Sequence, residues 1–444
     1  MYKTGYCFFT VAVFSIFIQS CSAPKKVQPV SEPPAATTTS PTPVDNTKTD
    51  AFLEKLLTSN PQYFSQIIAN KNLWNVQVIY TQIDRGANGI PALKNYYYNV
   101  NPANYFYPAS TVKFPVSILA LQRLNELKDK GIDKNTTMIT EAATPMQTAV
   151  FNDPTTPDGR PTIAQYIKKI LMVSDNDAYN RLYEFLGQDY INNELHKRGY
   201  EDVQLLHRLQ ISLPQEENRK TNPVKFLDTA DNVLYQQPMQ IARAQYVLRN
   251  DSMGKAFIQG GNLINGPMDF SLKNRISLED LHNILVSLVF PNKVPGKQRF
   301  NLTEADREFL FKYMSQLPTE STYPPYSDDT ARYNAAGGKY FIFGGEEKGI
   351  YPKHLRIFNK TGGAYGQLLD VAYVVDYAKK VEFFLSAVIY CNSDGVLNDD
   401  KYDYDTIGRP FLKNLGQVIY DYESQRTKKH LPDFGEFLFY YDKD

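Results

Sequence analysis

Net charge, metal-ligand spacing and a disulfide framework are all missing from this sequence. Its 48 basic side chains are balanced by 48 acidic ones, which removes the usual electrostatic argument for nucleic acid as a partner. Cysteine occurs three times, at Cys7, Cys21 and Cys391. These are too few and too scattered for a disulfide scaffold or a zinc cluster. The five histidines, His196, His207, His282, His354 and His430, contain no HExxH or similar pair. No metal or cofactor is therefore expected. What is plentiful is Tyr (32) and Phe (26), enough to bury a substantial core and to exclude a disordered chain.

The first 20 residues read as an export signal. Lys3 precedes an apolar run from Phe8 to Ile18, which is shorter than the ~20 residues that span a bilayer. Residues 21–49 read as a tether. From Ser22 to Thr49 there are six prolines and six threonines but no aromatic, Leu, Ile or Met, so ordering entropy has nothing to offset it. Folding is expected from about residue 50.

Beyond that point Ala51–Ala69 reads as a helix, and Asn75–Ile83 and Tyr96–Asn99 as strands. Thr111–Leu127 is apolar on almost every face, the pattern of a helix at a domain centre. Residues 143–161 are a Pro-, Thr- and Asp-rich loop. Helices follow at Thr162–Val173, Ala178–Leu186, Asp189–Arg198, Leu278–Phe290 and Thr303–Gln316. His354–Asn359, Leu368–Asp376 and Val381–Cys391 then read as an antiparallel meander, and Pro410–Tyr422 as a last helix. Strands at both chain ends with helices between them imply a mixed α/β body around an antiparallel sheet.

No G-x-S-x-G elbow is present, which leaves a Ser-His-Asp triad without support. Three other motifs occur. Ser110-Thr111-Val112-Lys113 opens the buried helix, and its i,i+3 spacing places hydroxyl and ammonium on one face, within reach of a hydrogen bond. A serine needs such a base before it attacks, and a desolvated lysine near other cations has its pKa lowered toward that task. SxxK strings also occur at Ser22–Lys25 and Ser252–Lys255, but neither opens a buried helix. Ser174-Asp175-Asn176 lies between two helices, where a hydroxyl and an amide can face a cleft; a helix cap followed by an Asx turn uses the same residues. Lys360-Thr361-Gly362 ends the strand HLRIFN and suits a substrate carboxylate, or a Gly-rich hairpin.

In this order, SxxK, SxN and KTG resemble the signature of the penicillin-binding proteins and class A β-lactamases, most closely the class A branch. TIAQYIKKILMVSDNDAYNRLYEFLG and KTGGAYGQLLDVAYVVD extend the resemblance, which covers roughly 50–220 and 277–423. It implies a five-stranded antiparallel sheet flanked by helices on both faces, with an all-helical subdomain. By the same resemblance Ser110 is the acylated nucleophile, Lys113 its activator, and Ser174 the proton relay to the leaving nitrogen. Asn176 binds the substrate amide, while Lys360 and Thr361 bind the carboxylate of a β-lactam or D-Ala-D-Ala peptide. The N–H groups of Ser110 and Gly363 form the oxyanion hole. The implied activity is β-lactam amide hydrolysis by a monomer without cofactor. The alternatives are a D,D-peptidase or a catalytically silent muropeptide-binding module.

Two departures stand out. The deacylating glutamate of class A enzymes lies in an E-x-x-x-N pattern after SDN, and here HRLQISLPQEENRKTNPVKF offers Glu216 and Glu217 without an asparagine four residues on. Two readings stay open: one of these glutamates serves through a rearranged loop, or both are surface charge in a polar loop. The distance from SDN to KTG is also several tens of residues longer than in class A enzymes, an insertion placed at about 223–276. The acidic loop Asn398–Asp405 lacks the Gly and terminal Glu of a calcium loop and reads as a solvated turn. The catalytic domain is thus expected over 50–423, with 424–444 an extension.

Ile18-Gln19-Ser20-Cys21 resembles the bacterial lipobox, which implies a lipid on Cys21 and a membrane-anchored envelope protein facing the periplasm. Cys21→Ser should then move the protein from the membrane to the soluble fraction, as read by fractionation and blotting; retention in the membrane would contradict the anchor.

Overall fold

The computed structural model describes residues 46–329, 333–345 and 351–443. Cys21, the signal and most of the tether lie outside the described residues. Among the described residues no helix is long and apolar enough to cross a membrane.

Five strands form the central antiparallel sheet: β1 (Gln77–Arg85), β2 (Pro91–Tyr98), β10 (Leu355–Ala364), β11 (Gln367–Asp376) and β12 (Val381–Tyr390), in the order β10-β11-β12-β1-β2. The two chain ends meet where β1 pairs with β12, Ile79 opposite Ser386. Every residue of β11 is buried, because both faces of the sheet are covered. Period-2 alternation divides its side chains between two cores. Leu369, Val371, Tyr373 and Val375 enter one, and Leu368, Ala372 and Val374 the other.

The second core is closed by α1 (Ala51–Thr58), α2 (Pro61–Ala69) and α10 (Arg409–Gln425). The single helix expected over 51–69 is two, because Pro61 has no N–H to donate and disfavours helical backbone at Asn60. The first core holds α8 (Leu278–Val289), α9 (Glu304–Ser315) and a helical lobe of α3 (Lys113–Glu126), α4 (Ile163–Val173), α5 (Asn176–Leu186) and α6 (Gln188–Lys197). Residues 113–122 of α3 are all buried, so only the last turn of this helix reaches solvent, at Glu126. Past α10 the chain returns over the sheet and buries Phe434 and Phe437 in the same core.

The helical lobe also carries a small antiparallel sheet of β3 (Thr137–Thr140), β4 (Val224–Leu227) and β5 (Val233–Gln237). Runs of four or five residues are too short for periodicity to reveal. The stretch at 223–276 therefore divides. Its first part, β4 and β5, completes the lobe, after the four-residue α7 (Gln215–Asn218). Its second part forms β6 (Ser252–Met253), β7 (Ala256–Gln259), β8 (Asn262–Asn265) and β9 (Met268–Asp269), and β7 pairs in parallel with β13 (Val396–Leu397).

His282 fastens α8 to the sheet. Its ring nitrogens meet the Thr81 hydroxyl and the Ser386 hydroxyl, each at 2.8 Å, and complete burial holds its pKa down at about 3. An unfolded histidine takes up a proton near pH 6.5. Between those values the unfolded chain binds the extra proton, so this site's contribution to stability is lost as pH falls below 6.5. The stability advantage of the native protein over His282→Asn should be smaller by about 2 kcal/mol at pH 5 than at pH 7.5, read from urea midpoints; a pH-independent difference would contradict the linkage.

Candidate active site

The mouth of α3 is a 3₁₀ turn, Ala109–Val112, that places Ser110 ahead of the helix. Ala109 is left-handed at φ 46°, a conformation that non-glycine residues adopt at a cost and that concentrates at functional sites. The Thr111 hydroxyl ties the turn to the Pro108 carbonyl at 2.6 Å.

Ser174 and Asn176 come from the break between α4 and α5. Ser174 ends α4 in left-handed backbone at φ 60°, and Asp175 caps α5 by accepting the Ala178 N–H at 2.8 Å. The capping turn and the site use are compatible: Asp175 caps while its neighbours face the cleft.

Lys113 is wholly buried. Its amine donates to the Ser174 carbonyl, to the Ser174 hydroxyl at 3.2 Å and to Asn176 Oδ1 at 2.7 Å. These three bonds occupy all its donors. The direct Ser110–Lys113 bond expected from the i,i+3 spacing is not formed among the described residues. Shared helix position brings the groups to one face, but the Ser174–Asn176 turn supplies stronger acceptors there. Burial, with the nearby Lys360 charge second, holds the Lys113 pKa well below its usual value.

Lys360 approaches Ser174 from the opposite side. Its amine donates to the Ser174 hydroxyl and to the Thr361 carbonyl, each at 2.9 Å. Burial lowers its pKa to about 7, against the opposing pull of Asp370. With both lone pairs of Ser174 Oγ facing amines, its proton is left to point into the cleft.

The KTG sequence does not end its strand, as its composition suggested; β10 runs on through Ala364. A two-residue turn at Tyr365-Gly366, with φ 52° and 77°, closes β10 on β11 with Ala364 opposite Gln367. Such a turn starts from a hydrogen-bonded pair, so the next pair, Gly363 with Leu368, is not hydrogen-bonded. β10 is the edge strand, which leaves the Gly363 N–H pointing out of the sheet on the side where the 109–112 turn packs. Gly362 makes that approach possible: a Cβ there would meet the Pro108 carbonyl oxygen at 2.9 Å and the Ser110 nitrogen at 3.2 Å.

Ser110 and Gly363 border two connected hollows. One of about 270 Å³ is walled by Ser174, Lys360, Thr361 and Asn334; the other, of about 410 Å³, continues past Asn176 and Gln210. Ser110, Lys113, Ser174, Asn176, Lys360, Thr361 and Gly363 thus surround a single cleft.

Glu216 and Glu217 lie on α7 and line neither hollow. Glu217 pairs with Lys220 at 2.7 Å, and that bond holds its pKa down. The loop is pinned upstream: Asn180 exchanges hydrogen bonds with the Leu209 backbone at 3.1 and 2.8 Å, and Arg208 is buried against Glu184 at 2.8 Å. That clamp presents Leu209 and Gln210 to the cleft, and Gln210 Oε1 accepts from Asn176 Nδ2 at 2.7 Å.

Sequence reasoning also missed Lys339. It is fully buried, donating to the carbonyls of Met314 (2.5 Å) and Ile357 (2.8 Å) and to Asn359 Oδ1 (2.6 Å). Asn359 in turn donates to Asp370 at 2.7 Å, which accepts the Tyr340 N–H at 3.0 Å. This network fastens residues 338–341 to β10 beside the smaller hollow. Nothing in the Gly-rich stretch AAGGKYFIFGG signals a buried cation.

A serine at a helix mouth, two buried lysines sharing a second serine, and a glycine-opened sheet edge define a β-lactamase-like serine hydrolase. The chain belongs to the Beta-lactamase enzyme family, whose family model matches residues 62–422. Among solved structures, the chain is similar to a β-lactamase from Xanthomonas campestris pv. campestris, at 15% identity over 84% of this chain and 98% of that one, TM-score 0.45. A β-lactamase from Burkholderia phymatum gives 15% identity, 84% and 100% coverage and TM-score 0.45. A class A β-lactamase from Clostridium kluyveri gives 16%, 81% and 98%, and 0.44. No match was found among curated proteins.

Gly362→Ala should push β10 off the 109–112 turn. Reaction of the chain with a serine-directed acylating probe should slow about 100-fold while the thermal midpoint changes little; an unchanged rate would show that the close approach is dispensable.

Proposed function

We propose that this protein opens β-lactam amides through an acyl-enzyme on Ser110. The observation that supports this reading is the Ser174 hydroxyl held between the amines of Lys113 and Lys360, beside Ser110 and the outward N–H of Gly363. The lowered pKa of Lys113 favours its neutral form, which donates only two of its three bonds and so has a lone pair to take the Ser110 proton as Oγ attacks the lactam carbonyl. The N–H groups of Ser110 and Gly363 receive the oxyanion, each worth about 3–4 kcal/mol at such a site. As the C–N bond breaks, Ser174 gives its proton to the leaving nitrogen and regains one from Lys113 across their 3.2 Å contact. Lys360 and Thr361 hold the substrate carboxylate, and Asn176 the side-chain amide. Water then cleaves the Ser110 ester and completes hydrolysis. Together with the lipid expected on Cys21, this reading makes the protein an anchored envelope hydrolase.

One observation favours a second reading. The loop after Asn176 offers Leu209 and Gln210 to the cleft instead of Glu216 or Glu217, and an amide does not take a proton from water at neutral pH. A long-lived acyl-enzyme, and with it D,D-peptidase or penicillin-binding activity, follows from that lining.

Intact-mass spectrometry of the full chain with benzylpenicillin separates the two. A transient adduct with release of opened penicillin supports the β-lactamase reading, and a lasting adduct the peptidase. Ser110→Ala should form no adduct. Absence of any adduct on the native protein, or its persistence on Ser110→Ala, would overturn the assignment.

A further inference from the structure

Two features of the sequence have no part in that chemistry: the second half of the 223–276 stretch and the acidic loop Asn398–Asp405. The fold brings them together beside Ser110. β13 lies against β7 with Leu397 opposite Phe257, and Leu397 is fully buried among Tyr107, Ala109 and Phe270. Just past it, the Asn398 amide donates to the Ile258 carbonyl at 3.3 Å and the Asn398 N–H to the Tyr402 hydroxyl at 2.8 Å. The inserted strands therefore hold the acidic loop in place as one wall of the larger hollow.

That wall has a distinct chemistry. Tyr107, Tyr365 and Tyr402 line it with Asn398 and Asp400, and Asp400 is the one charged side chain among the described lining residues. It is exposed to solvent and forms no ion pair among the described residues. A carboxylate among aromatic rings favours a cation, by charge and through the ring quadrupoles. The smaller hollow, with Lys360 and Thr361, has the opposite preference. A substrate whose carboxylate lies there, with its carbonyl at Ser110, must send its acyl substituent into the larger hollow.

We propose that Asp400 makes this hollow a cation-selecting subsite, favouring acyl groups that carry a protonated amine. The inference rests on Ser110 being the acylated residue.

Ampicillin, benzylpenicillin and carbenicillin test it, because they differ only at one side-chain carbon that bears an ammonium, a hydrogen or a carboxylate. Acylation rates of the full chain are measured by intact mass at a pH near 6.5, where an α-amino group is protonated. Comparing each drug between native and variant protein cancels its intrinsic reactivity. Asp400→Asn should lower the ampicillin-to-benzylpenicillin rate ratio about threefold, and added salt should shrink the native preference. Asp400→Lys should lower that ratio further and raise the carbenicillin-to-benzylpenicillin ratio by about threefold. Ratios unmoved by both substitutions, or all three drugs slowed alike, would overturn the subsite and leave the Ser110 assignment standing. No adduct with any of the three would overturn both.

Discussion

Two lysines, Lys113 and Lys360, are withdrawn almost completely from water, and both are held by one residue, Ser174. Burying an unpaired cation costs several kcal/mol, and among the described residues no carboxylate forms an ion pair with either amine. Hydrogen bonds donated to carbonyls, a hydroxyl and an amide oxygen take that place, and the residual strain appears as lowered proton affinity. The rest of the architecture follows from this arrangement. The first turns of α3 must be buried on all faces to carry Lys113 inside, α4 must end in left-handed backbone to turn Ser174 inward, and β10 must be an edge strand to bring Lys360 from the other side.

Much of this was legible in the sequence, for identifiable reasons. The all-round apolar pattern of 111–127 marked a central helix, and the β-branched and aromatic runs after 354 marked the sheet, because burial on both faces leaves such runs unbroken. The positions that line the cleft were found because SxxK, SxN and KTG tie residue type to a helix mouth, a helix break and a strand. The acceptor chosen by Lys113 was not legible. Spacing places a side chain on a face, but competition among acceptors from distant segments decides its bond. Gln210 escaped notice for a related reason: the loop is aimed by Asn180 and Arg208, far from the glutamates that drew attention. Lys339 carried no local signal at all, since its partners come from α9 and β10.

The two halves of the cleft differ in origin as well as in charge. The lysine-rich half is built from elements of the sheet and the helical lobe. The half with Asp400 is walled by the loop after β13, which the second part of the 223–276 stretch backs through β7 without lining the hollow itself. Change in the strands behind that loop can reshape this half without disturbing Ser174 and its two lysines.

The position of β1 constrains how the molecule comes into being. One long edge of this strand is satisfied by β2, close in sequence, and the other by β12, nearly the whole chain later. Contacts of such high sequence separation form late and slowly. A growing chain therefore carries Ser110 and Lys113 long before it has the strand that brings Lys360 to them. In a nascent or truncated polypeptide the cleft is incomplete, and it is assembled only with the closing of the sheet.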